Sequence, residues 1–203
     1  MQRILAVETT TDVCSVALGI ASCESGVDWV VESRVAPREH NRLVLSLIDG
    51  TLAAAGVARP QLDCVAFSAG PGSFTGVRIG ASVAQGIALG LDLPAFAVPS
   101  SEALACGMAA VGVAGEGRRT VRRYSRPGWL YEAEYEFGRG AGEVRCVQFD
   151  QLLQGDAPCD DQRIAMSAWF VGMVALARED LAVSAERALP LYVEGDTPWR
   201  PAG

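Results

Sequence analysis

Apolar and polar positions recur along this chain with three different periods. The run Ile4 to Val7 is continuously apolar and ends at Glu8, as a strand buried on both faces would, and Thr9-Thr10-Thr11-Asp12 reads as a tight polar turn. From Cys14 to Ile20, the residues Val16, Leu18 and Ile20 alternate with Ser15, Ala17 and Gly19, and Trp29 to Ser33 supplies a third strand. Three strands with short connections predict an antiparallel meander. From His40 the period lengthens, with Leu43, Val44, Leu47, Ile48 and Leu52 at helical spacing and Gly56 placed to end the helix. Leu62 to Ser68 is the next strand, a Gly-rich loop then opens a helix to about Leu91, and Ala95 to Val98 is a short strand. Ser100 or Ser101 can cap a third helix through about Val113. The order β-β-β-α-β-α-β-α is that of a ribonuclease-H-like lobe, a mixed sheet with helices on its faces.

Beyond Gly115 the texture changes. Trp129, Tyr131, Ala133, Tyr135 and Phe137 alternate with Leu130, Glu132, Glu134 and Glu136, a half-buried strand. A turn from Gly138 to Gly142 returns the chain into a second strand near Val144 to Phe149. A short helical piece, a loop around Asp156 to Asp161, a helix from about Ala165 to Arg178 and a tail with Leu189-Pro190-Leu191-Tyr192-Val193 complete the reading. The lobe boundary is placed near residue 101, dividing the chain into 1–101 and a second, degenerate lobe over 102–203.

Composition narrows the chemistry. With 203 residues, half of them hydrophobic, the chain can bury a substantial core. A formal charge of -7 argues against a protein that coats nucleic acid or an anionic membrane by itself. All 17 basic residues are Arg, which removes the phosphate-loop lysine, Schiff bases and a Ser-Lys dyad. Six scattered cysteines with no C-x-x-C pair suggest neither a zinc cluster nor a disulfide framework, so a reducing cytoplasm fits. The N-terminal apolar run is too short for a signal segment, and no membrane span is expected.

The Gly70-Pro71-Gly72-Ser73-Phe74-Thr75-Gly76 loop lies between a strand and a helix N-terminus, where free backbone N–H groups could face an anion. It is neither a Walker loop nor a dinucleotide fingerprint, and the plain alternative is a tight connection whose glycines are needed for the backbone. Glu8, Thr9 and Thr10, at the end of the first strand, could face a metal and a phosphate; the alternative is a turn with a solvated Glu8. Together Glu8, Thr9, Thr10, Gly70, Gly72, Ser73, Thr75 and Gly76 form the candidate residual nucleotide site. His40 is the only histidine, so a metal-binding histidine pair is impossible within one chain. No metal ligand set and no catalytic residue are expected.

The helix from Thr75 to Leu91 carries a small row (Gly76, Gly80, Ala84, Ala88), a large apolar row (Ile79, Val83, Ile87) and a thin polar stripe (Arg78, Ser82, Gln85). The helix after His40 is similarly poor in charge. Two helices apolar over most of their circumference suggest another subunit, with cover by the second lobe as the alternative. The candidate interface is Leu43, Leu47, Ile48, Arg78, Ile79, Gly80, Val83, Ala84 and Ile87. Arg118, Arg119, Arg122, Arg123 and Arg126 form a basic run, read first as solvated surface and second as a tRNA phosphate contact.

Ile4-Leu5-Ala6-Val7-Glu8-Thr9-Thr10-Thr11, the strand from Cys14 to Leu18, the His40 helix and above all Gly70 to Gly80 resemble the TsaB/YeaZ family. The likeness covers the first hundred residues and extends more loosely to Trp129–Tyr135 and Pro190-Leu191-Tyr192. The resemblance implies an actin-like ATPase superfold in two lobes that has lost catalysis and needs no cofactor of its own. It implies a scaffold role in making N6-threonylcarbamoyladenosine on tRNA. The implied partners are a TsaD-like catalytic subunit, a TsaE-like ATPase and, through the complex, tRNA, with ATP and metal used by that complex. A homodimer through the same helices is a further expectation when the partner is absent. Glu8 stands where the family more often has Asp, Tyr124 where a second-lobe Asp is usual, and the stretch from Asp150 to Ile164 is short. The competing readings are a weak ATPase or phosphotransferase using Glu8 and the Gly70 to Gly76 loop, and a glycopeptidase-like hydrolase.

Overall fold

A computed structural model describes residues 2–22, 26–139 and 143–193. β1 (Gln2–Glu8), β2 (Val13–Ser22) and β3 (Gly26–Val35) form the antiparallel meander, followed by α1 (His40–Ala54), β4 (Cys64–Gly70), α2 (Phe74–Leu91), β5 (Ala95–Pro99) and α3 (Ser100–Ala110). β6 (Gly117–Arg126), β7 (Trp129–Phe137) and β8 (Val144–Gln154) come next, then α4 (Ala168–Ala177) and a two-residue β9 (Ala182–Val183). Six strands pair in the order β3-β2-β1-β4-β5-β9, and β6-β7-β8 form a separate sheet. β1, β4 and β5 run parallel, whereas β2, β3 and β9 are antiparallel to their neighbours. The fold is the mixed α/β architecture expected. The second sheet is wholly antiparallel.

The continuous apolar run of β1 has a direct cause. Leu5 and Val7 face α1 and α2 in one core, with Val65, Phe67, Leu47, Ile48, Ala84 and Ala88. Ile4 and Ala6 face the opposite core, with Ala17, Ala66, Leu104, Phe170, Val171 and Val174. A strand covered on both faces needs apolar residues at every position.

That second core changes the meaning of the boundary near residue 101. The boundary separates the sheets, but α4 packs on β1, β2 and β4, and β9 extends the first sheet beside β5. The backbone N–H of Ala168 at the start of α4 donates to the Ser15 hydroxyl on β2 (3.1 Å). Phe170, Val171 and Val174 of α4 are all buried, each worth roughly 1.5–3 kcal/mol relative to exposure. One smaller expectation is also corrected: residues 150–154, read as helical, continue β8. The Arg-rich stretch forms β6. The turn expected at Gly138 to Gly142 includes 140–142, which lie outside the described residues.

Cys14, Cys64, Cys106, Cys146 and Cys159 are free thiols. Burial pushes Cys14 and Cys64 up to about 11 and Cys106 to about 12. Buried thiols held protonated at neutral pH are packing residues rather than nucleophiles. α2 is the one described helix with the length and mean hydropathy of a membrane span. It packs against β4 and the segment around residues 185–187 as part of the fold.

Candidate functional site

The structure brings the predicted nucleotide-site residues together, but packs them against each other. The β1–β2 turn lies directly on the Gly-rich loop: the Ser73 N–H donates to the Thr10 carbonyl oxygen (2.8 Å). The Thr9 hydroxyl donates to the Gly76 carbonyl oxygen (2.8 Å). A β-carbon added at Gly76 would lie 1.9 Å from the Thr9 carbonyl oxygen, and one at Gly72 would lie 2.7 Å from both Thr10 Cβ and its carbonyl oxygen. These glycines serve close backbone approach.

Three of the loop's N–H groups, those of Gly70, Ser73 and Gly76, are also engaged. Gly70 N–H donates to the Ser100 hydroxyl (3.0 Å), and Gly76 N–H donates to the Ser73 side chain that caps α2 (3.2 Å). An anion held by those three groups would have to displace these bonds. Thr75 is exposed at the start of α2 and lines a cavity of about 700 Å3 together with Thr11, Asp12, Ser73 and Gly76.

Glu8 is fully buried, which corrects the reading of a solvated carboxylate. Its Oε1 accepts from the Thr10 N–H and from the Thr10 hydroxyl (2.6 Å), while Oε2 is buried without a hydrogen-bond partner. The Thr10 hydroxyl also meets Arg123, a member of the basic run. Arg123 points inward from β6 and is fully buried. Its Nη2 donates to the Thr10 hydroxyl (3.0 Å) and its Nη1 to the Pro71 carbonyl oxygen. Its Nε lies 3.4 Å from an Asp161 carboxylate oxygen.

Asp161 also accepts from the Tyr124 backbone N–H (3.0 Å). Asp150, another acid near Arg123, accepts from the Ser101 hydroxyl (2.5 Å). Burial pushes both carboxyls above their ordinary range, with Arg123 pulling the other way. Tyr124 and Asp161 border a cavity of about 720 Å3 with Thr11, Asp12, Ser73 and Arg163. No group of three or more potential metal ligands occurs among the described residues. His40 begins α1 and is buried.

The arginine run divides in two. On the outer face of the second sheet, Arg118 stands opposite Glu136 and Arg122 opposite Glu132, with an Arg122–Glu132 ion pair at 2.8 Å. Arg145 on β8 pairs with Glu136 (2.5 Å). Cross-strand glutamates thus offset these arginines, and Arg123 is inside. Arg119 donates to the Gly115 carbonyl oxygen (3.2 Å), and the Arg126 guanidinium lies 4.8 Å from the Trp129 ring centre. The run is not a continuous basic face.

The helix surface also needs correction. Leu47, Ile48, Gly80 and Ala84, named as interface residues, are buried in the chain's own fold. The rows containing Gly80 and Ala84 turn inward on the turn and the sheet. Leu43, Ile79, Val83 and Ile87 are half-buried and Arg78 is exposed. Leu45 and Leu89 are exposed, a signal missed because neither stands in the counted rows. The Arg78 guanidinium lies 3.2 Å from the Phe74 ring centre and 5.2 Å from that of Tyr192. The C-terminal tail therefore flanks α2, held by Leu191 N–H donating to the Ala69 carbonyl oxygen (2.7 Å) and Gln85 donating to Ala188 (3.0 Å).

A family model described as TsaD, tRNA N6-adenosine threonylcarbamoyltransferase, matches residues 31–191. The tRNA threonylcarbamoyladenosine biosynthesis protein TsaB of Haemophilus influenzae is 42% identical over 102 residues, half of this chain and 41% of that protein. Its counterpart from Escherichia coli is 38% identical over 136 residues, 66% of this chain and 55% of that protein. The matches thus span about half the length of the curated relatives. A Chlorobium phaeobacteroides protein named tRNA N6-adenosine threonylcarbamoyltransferase is 33% identical over half of this chain. The solved structure of YeaZ from Pseudomonas aeruginosa superposes with a TM-score of 0.79 at 28% identity, covering 95% of this chain and 100% of that one. The fold, the first-lobe motif and these relatives agree, and the chain belongs to the TsaB/YeaZ family, within the wider family of the TsaD model.

Proposed function

We propose that the chain is a non-catalytic scaffold subunit of a tRNA N6-threonylcarbamoyladenosine modification complex, which binds and activates a TsaD-like catalytic subunit. The observation that carries this reading is the outward face of α2. From Ile79 to Leu91 the helix has no charged residue, and its outer side presents Ile79, Ser82, Val83, Gly86, Ile87 and Leu89 to solvent in whole or part. An apolar, small-residue helix face is suited to close packing against another helix. Arg78, with its guanidinium close to the Phe74 ring and near that of Tyr192, borders it at the N-terminal end.

The cleft supports the non-catalytic part. Gly72 and Gly76 of the Gly-rich loop serve close packing on the β1–β2 turn, and Arg123 ties that turn and the loop to β6. ATP and metal would then be bound by the partner complex, with a TsaE-like ATPase and tRNA engaged through that assembly, in the cytoplasm. The purified chain should show no ATP turnover, and Glu8→Ala should leave that null result unchanged. Turnover that Glu8→Ala abolishes would favour the weak ATPase instead.

A further inference from the structure

We propose that the guanidinium of Arg123 is a built-in latch, which ties the two lobes together across the cleft between the sheets. The position is unusual for an arginine. Arg123 shares β6's inward parity with Val121, lies opposite Tyr131 on β7 and is fully buried. Arginine is almost never fully buried unless its charge is paired.

Its partners come from three separate segments. Thr10 belongs to the β1–β2 turn, Pro71 to the Gly-rich loop, and Asp161 to the connection after β8. The first two lie on the first lobe and the third on the second. A rigid planar fork with donors pointing in different directions can bridge such segments, which an ammonium cannot do as well.

The charge around it is matched to a cation. Asp161 is at ion-pair distance and Asp150 acts on Arg123 electrostatically. Glu8 is joined to Arg123 through the Thr10 hydroxyl, which donates to Glu8 while accepting from Nη2. One carboxylate, Asp161, thus lies at ion-pair distance, and a second, Glu8, is joined to the guanidinium through one hydroxyl. An arginine serving only the second lobe's core would find its acceptors there; this one places two of its three contacts across the cleft.

The decisive experiment is a double-mutant cycle on the isolated chain with Thr10→Val and Asp161→Asn, one from each lobe, read by equilibrium unfolding. Through Arg123 their effects on the unfolding equilibrium constant should couple by more than roughly threefold, and the coupling should vanish in an Arg123→Ala background. Coupling below that level, or coupling that persists without Arg123, overturns the latch. If Arg123→Ala does not fold, the cycle in the parent background still decides. In a folded Arg123→Ala protein, amide exchange of the Gly70–Gly76 loop should quicken and be slowed again by millimolar guanidinium chloride but not by sodium chloride. Unchanged exchange in that loop also overturns the proposal.

Discussion

A chain carrying Gly86→Arg should fold and melt as the parent does, yet fail to co-purify with a TsaD-type catalytic subunit. Gly86 lies on the exposed side of α2, and a β-carbon built there meets nothing within 4 Å. Replacing a mid-helix glycine removes a propensity penalty of about 1 kcal/mol, so the isolated chain should hold its stability or gain slightly. A helix packed against α2 at an interaxial distance of about 8–10 Å has no space for an arginine there. Affinity should fall by about 100-fold or more, the scale of losing a central contact. Gly80→Arg would be a misleading test. Its β-carbon would lie 2.7 Å from the Thr9 hydroxyl oxygen inside the chain's own fold, so lost binding would report damage to the lobe. Affinity of the Gly86→Arg protein within about threefold of the parent would remove α2 from the interface.

Gly76→Ala should be among the most destabilising single-methyl substitutions in this protein, costing about 3–5 kcal/mol or preventing folding. The added methyl would sit 1.9 Å from a backbone carbonyl oxygen of Thr9, with the Ser73 side chain on its other flank. Neither side can yield cheaply, because the turn is tied to the loop through Ser73 and Thr10 and through Thr9 and Gly76. Gly90→Ala is the matched control: it lies on the same helix in open space and should stabilise by about 0.5–1 kcal/mol. Denaturant midpoints of the two variants measure the contrast. A Gly76→Ala midpoint equal to the parent's would mean that the turn and loop are not in contact as described.

Much of the first lobe was legible because its elements obey local rules. β1 reads as an unbroken apolar run because it is covered on both faces, and α1 shows its buried side at helical spacing. The candidate site was harder for a physical reason. Glycines that let a backbone approach a phosphate and glycines that let it approach another strand carry the same pattern, and only the position of Thr9 and Thr10 distinguishes them. Glu8 could not be recognised as buried, since its partner is the hydroxyl of a turn that could equally face solvent.

Arg123 was hidden by its neighbours. Four other arginines around it are exposed or cross-strand paired, and a run of charge reads as surface. The usable signal was parity: two residues after Val121, Arg123 falls on the inward side of the strand. The interface residues failed on a similar point. Leu47, Ile48, Gly80 and Ala84 belong to rows that are apolar like their neighbours, and nothing local says which row turns toward the chain's own sheet.

The return of α4 and β9 to the first sheet bears on how the chain comes to fold during synthesis. β1 to β5 emerge early, but the face carrying Ile4, Ala6, Ala17 and Ala66 is covered by residues near 170, and the edge beside β5 is closed by Ala182 and Val183. Contacts between such distant positions close late and slowly. A nascent chain stopped after α3 would thus have that face covered only in part, by α3, and open to chaperones, and would not be half of a finished molecule.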